Sequence, residues 1–103
     1  MIGAMNEPTR EQVDALIEPT VLEFGASWCG FCKAAQADIA AVLARHPEVS
    51  HVKVEDGKGR PLGRSFRVKL WPTLVFMRDG QVLVQVARPD DGDIRDGLEA
   101  MSV

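Results

Sequence analysis

The sequence is poor in the features that mark several large classes of protein. Only two of its 103 residues are cysteine, so it cannot form the set of disulfide bridges that holds small secreted scaffolds together. Its net charge of −3 comes without a basic stripe, and we expect no nucleic-acid partner. No apolar run approaches the roughly 20 residues that span a bilayer. The start of the chain lacks a basic region and a long apolar segment, which predicts a soluble cytoplasmic protein with no membrane partner.

The chain is long enough for one domain with a core, over residues 1–103, and too short for two. Apolar spacing and turn residues predict the order helix, strand, helix, strand, short helix, strand, strand, helix. The predicted helices lie between Thr9 and Pro19, at about 29–45, at 61–66 and after residue 91, and the predicted strands at 21–24, 49–54, 73–77 and 82–86. This order implies an α/β fold in which a parallel part is extended by an antiparallel hairpin, with helices on both faces. Whether residues 2–5 add a fifth, edge strand stays open.

Individual residues add local expectations. Thr9 is placed to cap the first helix, whose apolar positions include Leu16 and Ile17. Three valines alternate along the last strand, at positions 82, 84 and 86. Gly97 is expected to weaken the last helix.

The motif Trp28-Cys29-Gly30-Phe31-Cys32-Lys33 places the two cysteines two residues apart, directly after the apolar run 21–24. If a helix begins there, the first cysteine lies among unpaired backbone N–H groups at the positive end of the helix dipole, which favours its thiolate. A thiolate is the species that attacks a disulfide. The second cysteine, one turn further on, is placed to attack the resulting mixed disulfide and release the substrate.

Other uses of the two thiols remain open at this point. They could be incidental residues on an amphipathic helix. They could supply two of the four ligands of a zinc ion shared between two chains, although one such pair cannot complete a structural site. The two histidines, His46 and His51, are expected at a helix end and on a strand surface rather than as ligands, so we predict no metal site.

Together with Trp71-Pro72-Thr73, the cysteine motif closely resembles the thioredoxin family, and element order, motif spacing and length fit over nearly the whole chain. The resemblance implies a thioredoxin fold with a central mixed sheet of four to five strands. It implies that Cys29 is the nucleophile, that Cys32 is the more buried resolving thiol, and that the pair forms the redox disulfide. Pro72 matches the family's cis-proline.

The same resemblance assigns the surroundings of the two thiols. The backbone of Trp71 would face the substrate and pair with it as an added strand, and Trp28, Gly30 and Phe31 would contribute to the same surface. For Trp28, core packing and shielding of the disulfide are both compatible with the sequence. The indole of Trp71 fits the core and the docking surface equally well.

Glu23 falls at the family's buried acid position and Lys53 at that of its lysine partner. Such an acid accepts the proton that Cys32 must lose in the resolving step. Burial raises the pKa of the acid and a nearby ammonium group lowers it, and the sequence does not decide between them. Glu23 could also be an ordinary surface residue of a strand, and Lys53 a solvated lysine.

Two residues depart from the family pattern. Phe31 replaces the usual proline, which frees a backbone N–H near the sulfur of Cys29 and stabilises its thiolate. We therefore expect a couple that is less reducing than about −270 mV, the thioredoxin value. Arg88 replaces the usual glycine on a loop of the docking surface, where a long cation would narrow the groove and favour an acidic partner.

These residues predict a thiol–disulfide oxidoreductase that reduces protein disulfides and needs no cofactor beyond its cysteine pair. The resemblance implies a reductase as electron donor, and we expect a monomer. A second hypothesis is a binding module, an adapter or holdase in which turnover is incidental. A third is a glutathione-dependent oxidoreductase, which Trp28 and the lack of an evident carboxylate-binding site for glutathione disfavour.

Overall fold

The computed structural model describes residues 7–103. Four helices and four strands alternate in the order the sequence predicts. The helices are α1 (Arg10–Asp14), α2 (Gly30–Leu43), α3 (Pro61–Ser65) and α4 (Asp91–Ala100), and the strands are β1 (Thr20–Gly25), β2 (Ser50–Glu55), β3 (Thr73–Arg78) and β4 (Gln81–Ala87). The question of an edge strand at residues 2–5 lies outside the described residues.

The four strands form one mixed sheet in the order β2-β1-β3-β4. β1 pairs with β2 in parallel and with β3 antiparallel, and β4 pairs antiparallel with β3. The prediction of a parallel part extended by an antiparallel hairpin is therefore confirmed. The hairpin turns at Asp79 and Gly80, both in the left-handed backbone region that two-residue hairpin turns require.

Alternation along β1 divides the core into two layers, since successive side chains of a strand point to opposite faces. Val21 faces the layer beneath α2 and α4, and Leu22 and Phe24 face the layer beneath α1 and α3. The first layer is built from Val21, Ile39, Val42, Leu43, Leu74, Phe76, Ile94, Leu98 and Met101. The second contains Val13, Leu22, Phe24, Val54, Leu62, Phe66, Val75 and Met77.

The first helix is shorter than its apolar pattern suggests. Thr9 does cap it: its hydroxyl accepts from the backbone N–H of Gln12 (3.1 Å), and the Gln12 side chain accepts from Thr9 N–H (2.9 Å). The helix nevertheless ends at Asp14, and the prediction that Ile17 is an apolar helix position is wrong, because its side chain is 72% exposed. The Ile17 carbonyl accepts from Asp79 N–H of the hairpin turn (3.0 Å), which draws the chain out of the helix toward β1.

The alternation predicted for the last strand also breaks. Val84 and Val86 pack on the core beneath α4, whereas Val82 is 41% exposed. The register between β3 and β4 shifts between Phe76 and Met77, which leaves Leu83 as an extra residue in β4. A bulge of this kind reverses the facing of the side chains beyond it.

The topology brings three chain segments to one edge of the sheet. β1 ends there and leads into α2, which begins after Cys29. β3 runs antiparallel to β1 and so begins at that edge, directly after Pro72. β4, antiparallel to β3, ends there again just before Arg88. No helix among residues 7–103 has the length and apolar character to cross a membrane.

Gly97 on α4 lies against the ring of Phe76, where a Cβ would come within 2.5 Å of three ring carbons. Alanine has a higher helix propensity than glycine by about 1 kcal/mol, but overpacking of this kind costs about 1–3 kcal/mol. We expect Gly97→Ala to lower the free energy of unfolding by about 1 kcal/mol, measured by urea denaturation. Gly92→Ala is the matched control on the same helix, since its nearest contact would be at 3.4 Å, and should not destabilise. An equal gain in both variants would contradict the packing argument.

Candidate active site

The two cysteines meet at the first turn of α2. Cys29 is the N-cap residue, in extended conformation, and its sulfur accepts a hydrogen bond from the backbone N–H of Cys32 at 3.2 Å. The Cys29 carbonyl accepts from Lys33 N–H (3.1 Å), which begins the helical ladder. The sulfur thus takes the place of the hydroxyl or carboxylate oxygen that usually caps a helix, and a negative charge there is stabilised.

Exposure does not distinguish the two cysteines, since each is 6% exposed, but their acidities differ. Burial opposes ionisation of Cys29, yet hydrogen bonds from the Cys32 thiol and from the N–H groups of Cys32 and Phe31, with the charge of Arg88, hold its pKa below the ordinary value. Burial and the hydrogen bond to Cys29 raise the pKa of Cys32 to about 11, and the charges of Cys29 and Glu23 act in the same direction. The first thiol is therefore the stronger nucleophile near neutral pH.

Gly25, the last residue of β1, is a site residue that the sequence reasoning missed. A Cβ at this position would lie 2.7 Å from the Cys32 sulfur, far inside contact distance. The absence of a side chain therefore allows the resolving thiol to pack on the strand. The signal in the sequence was its position, two residues after Glu23 and on the same face of β1.

Glu23 is buried, with 5% of its surface exposed. Its Oε2 accepts from Gln36 Nε2 at 2.6 Å, and its Oε1 is hydrogen-bonded to His51 Nε2 at 2.7 Å. Burial raises the pKa of the acid, but the hydrogen bonds from His51 and Gln36 and the charges of His51 and Lys53 outweigh it and leave the pKa below the ordinary range. The carboxylate is therefore ionised at neutral pH.

The lysine partner acts on the acid at a distance. Lys53 is the register neighbour of Glu23 across β1 and β2, and its charge helps to lower the pKa of the acid. Its ammonium donates to Gln36 Oε1 at 2.5 Å, so Gln36 stands between the two charges. The sequence reasoning missed two further partners of the acid, His51 and Gln36, for which spacing gives only a weak signal. His51 precedes Lys53 by two residues on the same strand face, and Gln36 follows Cys32 by one helical turn.

A cleft of about 420 Å³ joins the acid to the resolving thiol. Glu23, Cys32, Gln36 and Lys53 all contribute to its lining. The volume is large enough to hold water molecules, so a proton can pass between the thiol and the carboxylate without direct contact between them.

Trp71 and Pro72 are joined by a cis peptide bond and directly precede β3. Trp71 is half-buried and packs on the cluster of Ala26, Cys29 and Cys32. Its indole N–H donates to Asp56 Oδ2 at 2.9 Å, which fixes the ring between core and surface. Trp28 is 71% exposed and stands edge-on to Trp71 at 5.3 Å between ring centroids, so of the two roles left open for it, packing in the core does not apply.

Arg88 is held over the motif by three contacts. Its guanidinium lies 3.8 Å from the centre of the Phe31 ring, its Nε donates to the Trp71 carbonyl (3.2 Å), and its backbone N–H donates to the Pro72 carbonyl (2.6 Å). Its φ of 51° lies in the left-handed region that favours glycine. Gly30, at the start of α2, is exposed, and a Cβ there would meet nothing within 4 Å.

Among residues 7–103, no three or more histidine, cysteine or acidic side chains are grouped so that they could hold a metal ion. The ionisable groups that the structure does bring together are the two thiols, Glu23 and His51. This set is suited to sulfur exchange with an attached proton acceptor.

Comparison with known proteins agrees with this chemistry. The family model described as Thioredoxin matches residues 4–100. The thioredoxin Asp f 28 of Aspergillus fumigatus is 31% identical to the chain, over 81% of this chain and 74% of that protein. The structure of reduced thioredoxin 2 from Pseudomonas aeruginosa PAO1 superposes with a TM-score of 0.81 at 51% identity, over 92% of this chain and 89% of that one.

A more distant likeness concerns the fold alone. A chain in the complex of ferredoxin:thioredoxin reductase with thioredoxin f2 is 20% identical and gives a TM-score of 0.75, over 86% of this chain and 82% of that one. With the mixed four-stranded sheet, the thiol pair at the first turn of α2 and the matched family model, the chain belongs to the thioredoxin family of thiol–disulfide oxidoreductases.

Proposed function

We propose that this oxidoreductase reduces protein disulfides, with Cys29 as the attacking thiol and Cys32 as the resolving thiol. The observation that carries the assignment is the position of the Cys29 sulfur at the N-cap of α2, where it accepts from the backbone N–H of Cys32 at 3.2 Å; the pKa of Cys29 is lowered and that of the buried Cys32 raised accordingly. Cys29 has the larger thiolate fraction near neutral pH and so attacks first. Cys32 stays protonated until the mixed disulfide has formed, and then becomes the second nucleophile.

The reaction balances in two steps. The Cys29 thiolate attacks one sulfur of the substrate disulfide, forms a Cys29–substrate disulfide and releases the other substrate sulfur as a thiolate. Cys32 then loses its proton and attacks Cys29, which forms the Cys29–Cys32 disulfide and releases the second substrate sulfur. Protons from Cys32 and from water complete the two substrate thiols. The substrate gains two electrons and the cysteine pair loses them.

Glu23 is the proposed proton acceptor for Cys32. The carboxylate is ionised, and the cleft that it shares with the thiol is large enough to hold water molecules. Each carboxylate has about four lone-pair sites, of which Gln36 and His51 use two. The remaining sites are open to a proton that arrives through water from Cys32.

The substrate is proposed to dock along the edge formed by Trp71 and Pro72, beside Trp28, Gly30 and Phe31. An extended substrate segment would pair with the Trp71 backbone as an added strand. The Trp71 carbonyl already accepts from Arg88, but a carbonyl oxygen has two lone pairs and can accept a second donor. Exposed Trp28 and Phe31 supply apolar contact on either side of the sulfur.

Arg88 is the proposed determinant of substrate choice. A side chain that is retained in a backbone region favouring glycine costs about 1–3 kcal/mol, and such an outlier next to a reactive sulfur suggests a function. The guanidinium is exposed and lies above Phe31. A carboxylate near the substrate disulfide would pair with it, so the expected clients are acidic around their disulfide.

The remaining proposals concern the protein's setting. Electrons would come from a reductase of the thioredoxin-reductase type, with no cofactor on this chain other than the cysteine pair. The complex of thioredoxin f2 with ferredoxin:thioredoxin reductase is one precedent for such a partner. A thiol pair that must be reduced before it can attack suits a reducing compartment, and we propose the cytoplasm, which fractionation would test, and a monomer, which sedimentation would test.

The comparisons do not favour the alternative of an adapter or holdase. A pure binding module has no physical need for two thiols of opposite acidity. Client binding that is unchanged in the double variant, Cys29→Ser with Cys32→Ser, would support this alternative. Glutathione dependence would appear as activity supported by glutathione alone.

The order of the two thiols predicts which single variant traps a client. Cys32→Ser leaves the attacking thiol and removes the resolving one, so clients should stay covalently bound to Cys29, visible as adducts in non-reducing gels and released by dithiothreitol. Cys29→Ser is the matched control and should trap none. Adducts on Cys29→Ser and none on Cys32→Ser would reverse the assigned roles.

Arg88→Met predicts a change in selectivity. Methionine keeps the Cβ and much of the apolar stem but removes the charge, so the ratio of kcat/KM for an acidic over a basic peptide disulfide should fall about two- to fivefold, in line with an exposed ion pair. The variant also raises the pKa of Cys29, since the arginine charge lowers it, but this affects both peptides alike. Arg95→Met, an exposed arginine of α4, is the control. An unchanged ratio in Arg88→Met would refute the proposed selectivity.

A further inference from the structure

The buried carboxylate of Glu23 is held on two sides by different elements. Gln36 of α2 donates to Oε2 at 2.6 Å, and the imidazole of His51 on β2 is bonded to Oε1 at 2.7 Å. Gln36 is itself fixed, because its Nε2 also donates to the Cys32 carbonyl (3.3 Å) and its Oε1 accepts from Lys53. The acid is therefore tied by one hydrogen bond to the helix that carries Cys32 and by the other to an edge strand.

The two partners lie differently with respect to the cleft. Gln36 and Lys53 line the cleft together with Glu23 and Cys32, whereas His51 is not among its lining residues. The imidazole therefore reaches the carboxylate from outside the cleft, and its side chain is 26% exposed to solvent. A bond from that side fixes the carboxylate without occupying the space through which a proton from Cys32 must travel.

We propose that His51 is a positioning residue of the redox centre: it holds the Oε1 side of Glu23 so that the carboxylate keeps free lone pairs toward the cleft and accepts the proton of Cys32. This inference rests on the proposed role of Glu23. In the resolving step the Cys32 proton passes through the cleft to Glu23, the Cys32–Cys29 bond forms, and the Cys29–substrate bond breaks. The substrate sulfur leaves with the electron pair of that bond and takes a proton from Glu23 or water.

The surroundings of Glu23 determine how its pKa should change when the imidazole is removed. Burial alone would raise the pKa of Glu23; the hydrogen bond of His51 is the largest influence that lowers it, and after the hydrogen bond of Gln36 the charge of His51 lowers it further. The other groups that bear on the acid are Gln36 and Cys32 on α2 and Lys53 on β2. Without His51 the carboxyl should hold its proton to a higher pH and cease to act as an acceptor there.

The other charged side chains that line the cleft are the same in every variant compared below. They are Glu7, Lys33, Glu55 and Arg60. Because these side chains are unchanged, a difference between variants reports the loss of the bond to Glu23 rather than a change in the general field of the cleft.

The test is the pH dependence of the resolving step in single turnover. Reduced protein is mixed with a peptide disulfide carrying a fluorophore, and release of the second peptide thiol is followed between about pH 4 and 9. The acidic limb of this rate should move upward by about one pH unit in His51→Leu. His51→Gln keeps an N–H donor and should move less. The rate of the first step, attack by Cys29, should stay within about twofold in both variants.

His46→Leu is the matched control. His46 has the same side-chain exposure, 26%, and also faces a glutamate, Glu48 at 3.6 Å, but it lies beyond the far end of α2. The acidic limb of the resolution rate of His46→Leu should coincide with that of the unmodified protein. Melting temperatures establish that each variant is folded, and should His51→Leu fail to fold, the comparison of His51→Gln with the unmodified protein decides the matter.

Glu23→Gln separates failure of this inference from failure of the proposed function. If Glu23→Gln slows resolution at least tenfold while the acidic limb of His51→Leu coincides with that of the unmodified protein, the role of His51 is overturned and that of Glu23 stands. If Glu23→Gln resolves at the normal rate, the proposed proton acceptor is wrong and the inference falls with it. A slowed Glu23→Gln together with a shifted His51→Leu supports both.

Discussion

The chemistry of this protein depends on one hydrogen bond, from the backbone N–H of Cys32 to the sulfur of Cys29 at 3.2 Å. It closes the first turn of α2 with a sulfur atom where an oxygen usually serves as the cap. A negative sulfur is thereby placed at the positive end of the helix dipole. Burial, a side-chain hydrogen bond to Cys29 and the charge on Cys29 raise the pKa of Cys32, so the two thiols are unequal.

The fold delivers the remaining groups to this turn from three directions. β1 brings Glu23 and Gly25 beneath Cys32, the segment before β3 brings Trp71 onto the cysteine pair, and the end of β4 brings Arg88 above Phe31. Antiparallel pairing of β3 with both β1 and β4 makes this convergence unavoidable. The directions of the strands therefore assemble the site, and only the residues of the cysteine motif are neighbours in the sequence.

Patterns of local origin were predicted well from the sequence. The capping of α1 by Thr9, the antiparallel hairpin of β3 and β4, and the order of the elements all depend on neighbouring residues, and the structure confirms them. The prediction for Val82 is wrong because the alternating valines give no indication of the bulge in β4. Ile17 was mispredicted because its carbonyl is bound by a turn about sixty residues away.

In the active site, too, the features that depend on local sequence were predicted and those that depend on long-range contacts were not. The cysteine pair and the cis peptide bond at Pro72 follow from short motifs, and the burial of Glu23 is implied by the family resemblance. The partners of that acid do not, since His51 reaches it diagonally across two strands and Gln36 inserts from a helix. Trp71 could not be assigned to core or surface because its indole is fixed by Asp56, fifteen positions away. Such pairings become visible only once register and helix rotation are known.

The unequal acidity of the two thiols is the central claim, and titration of the reduced protein tests it most directly. With cysteine labelled by 13C at Cβ, the chemical shift of each residue reports its own ionisation. Cys29 should ionise below the ordinary cysteine value of about 8.5, and Cys32 at about 11. Ionisation of Cys32 before Cys29, or of both near the ordinary value, would contradict the account.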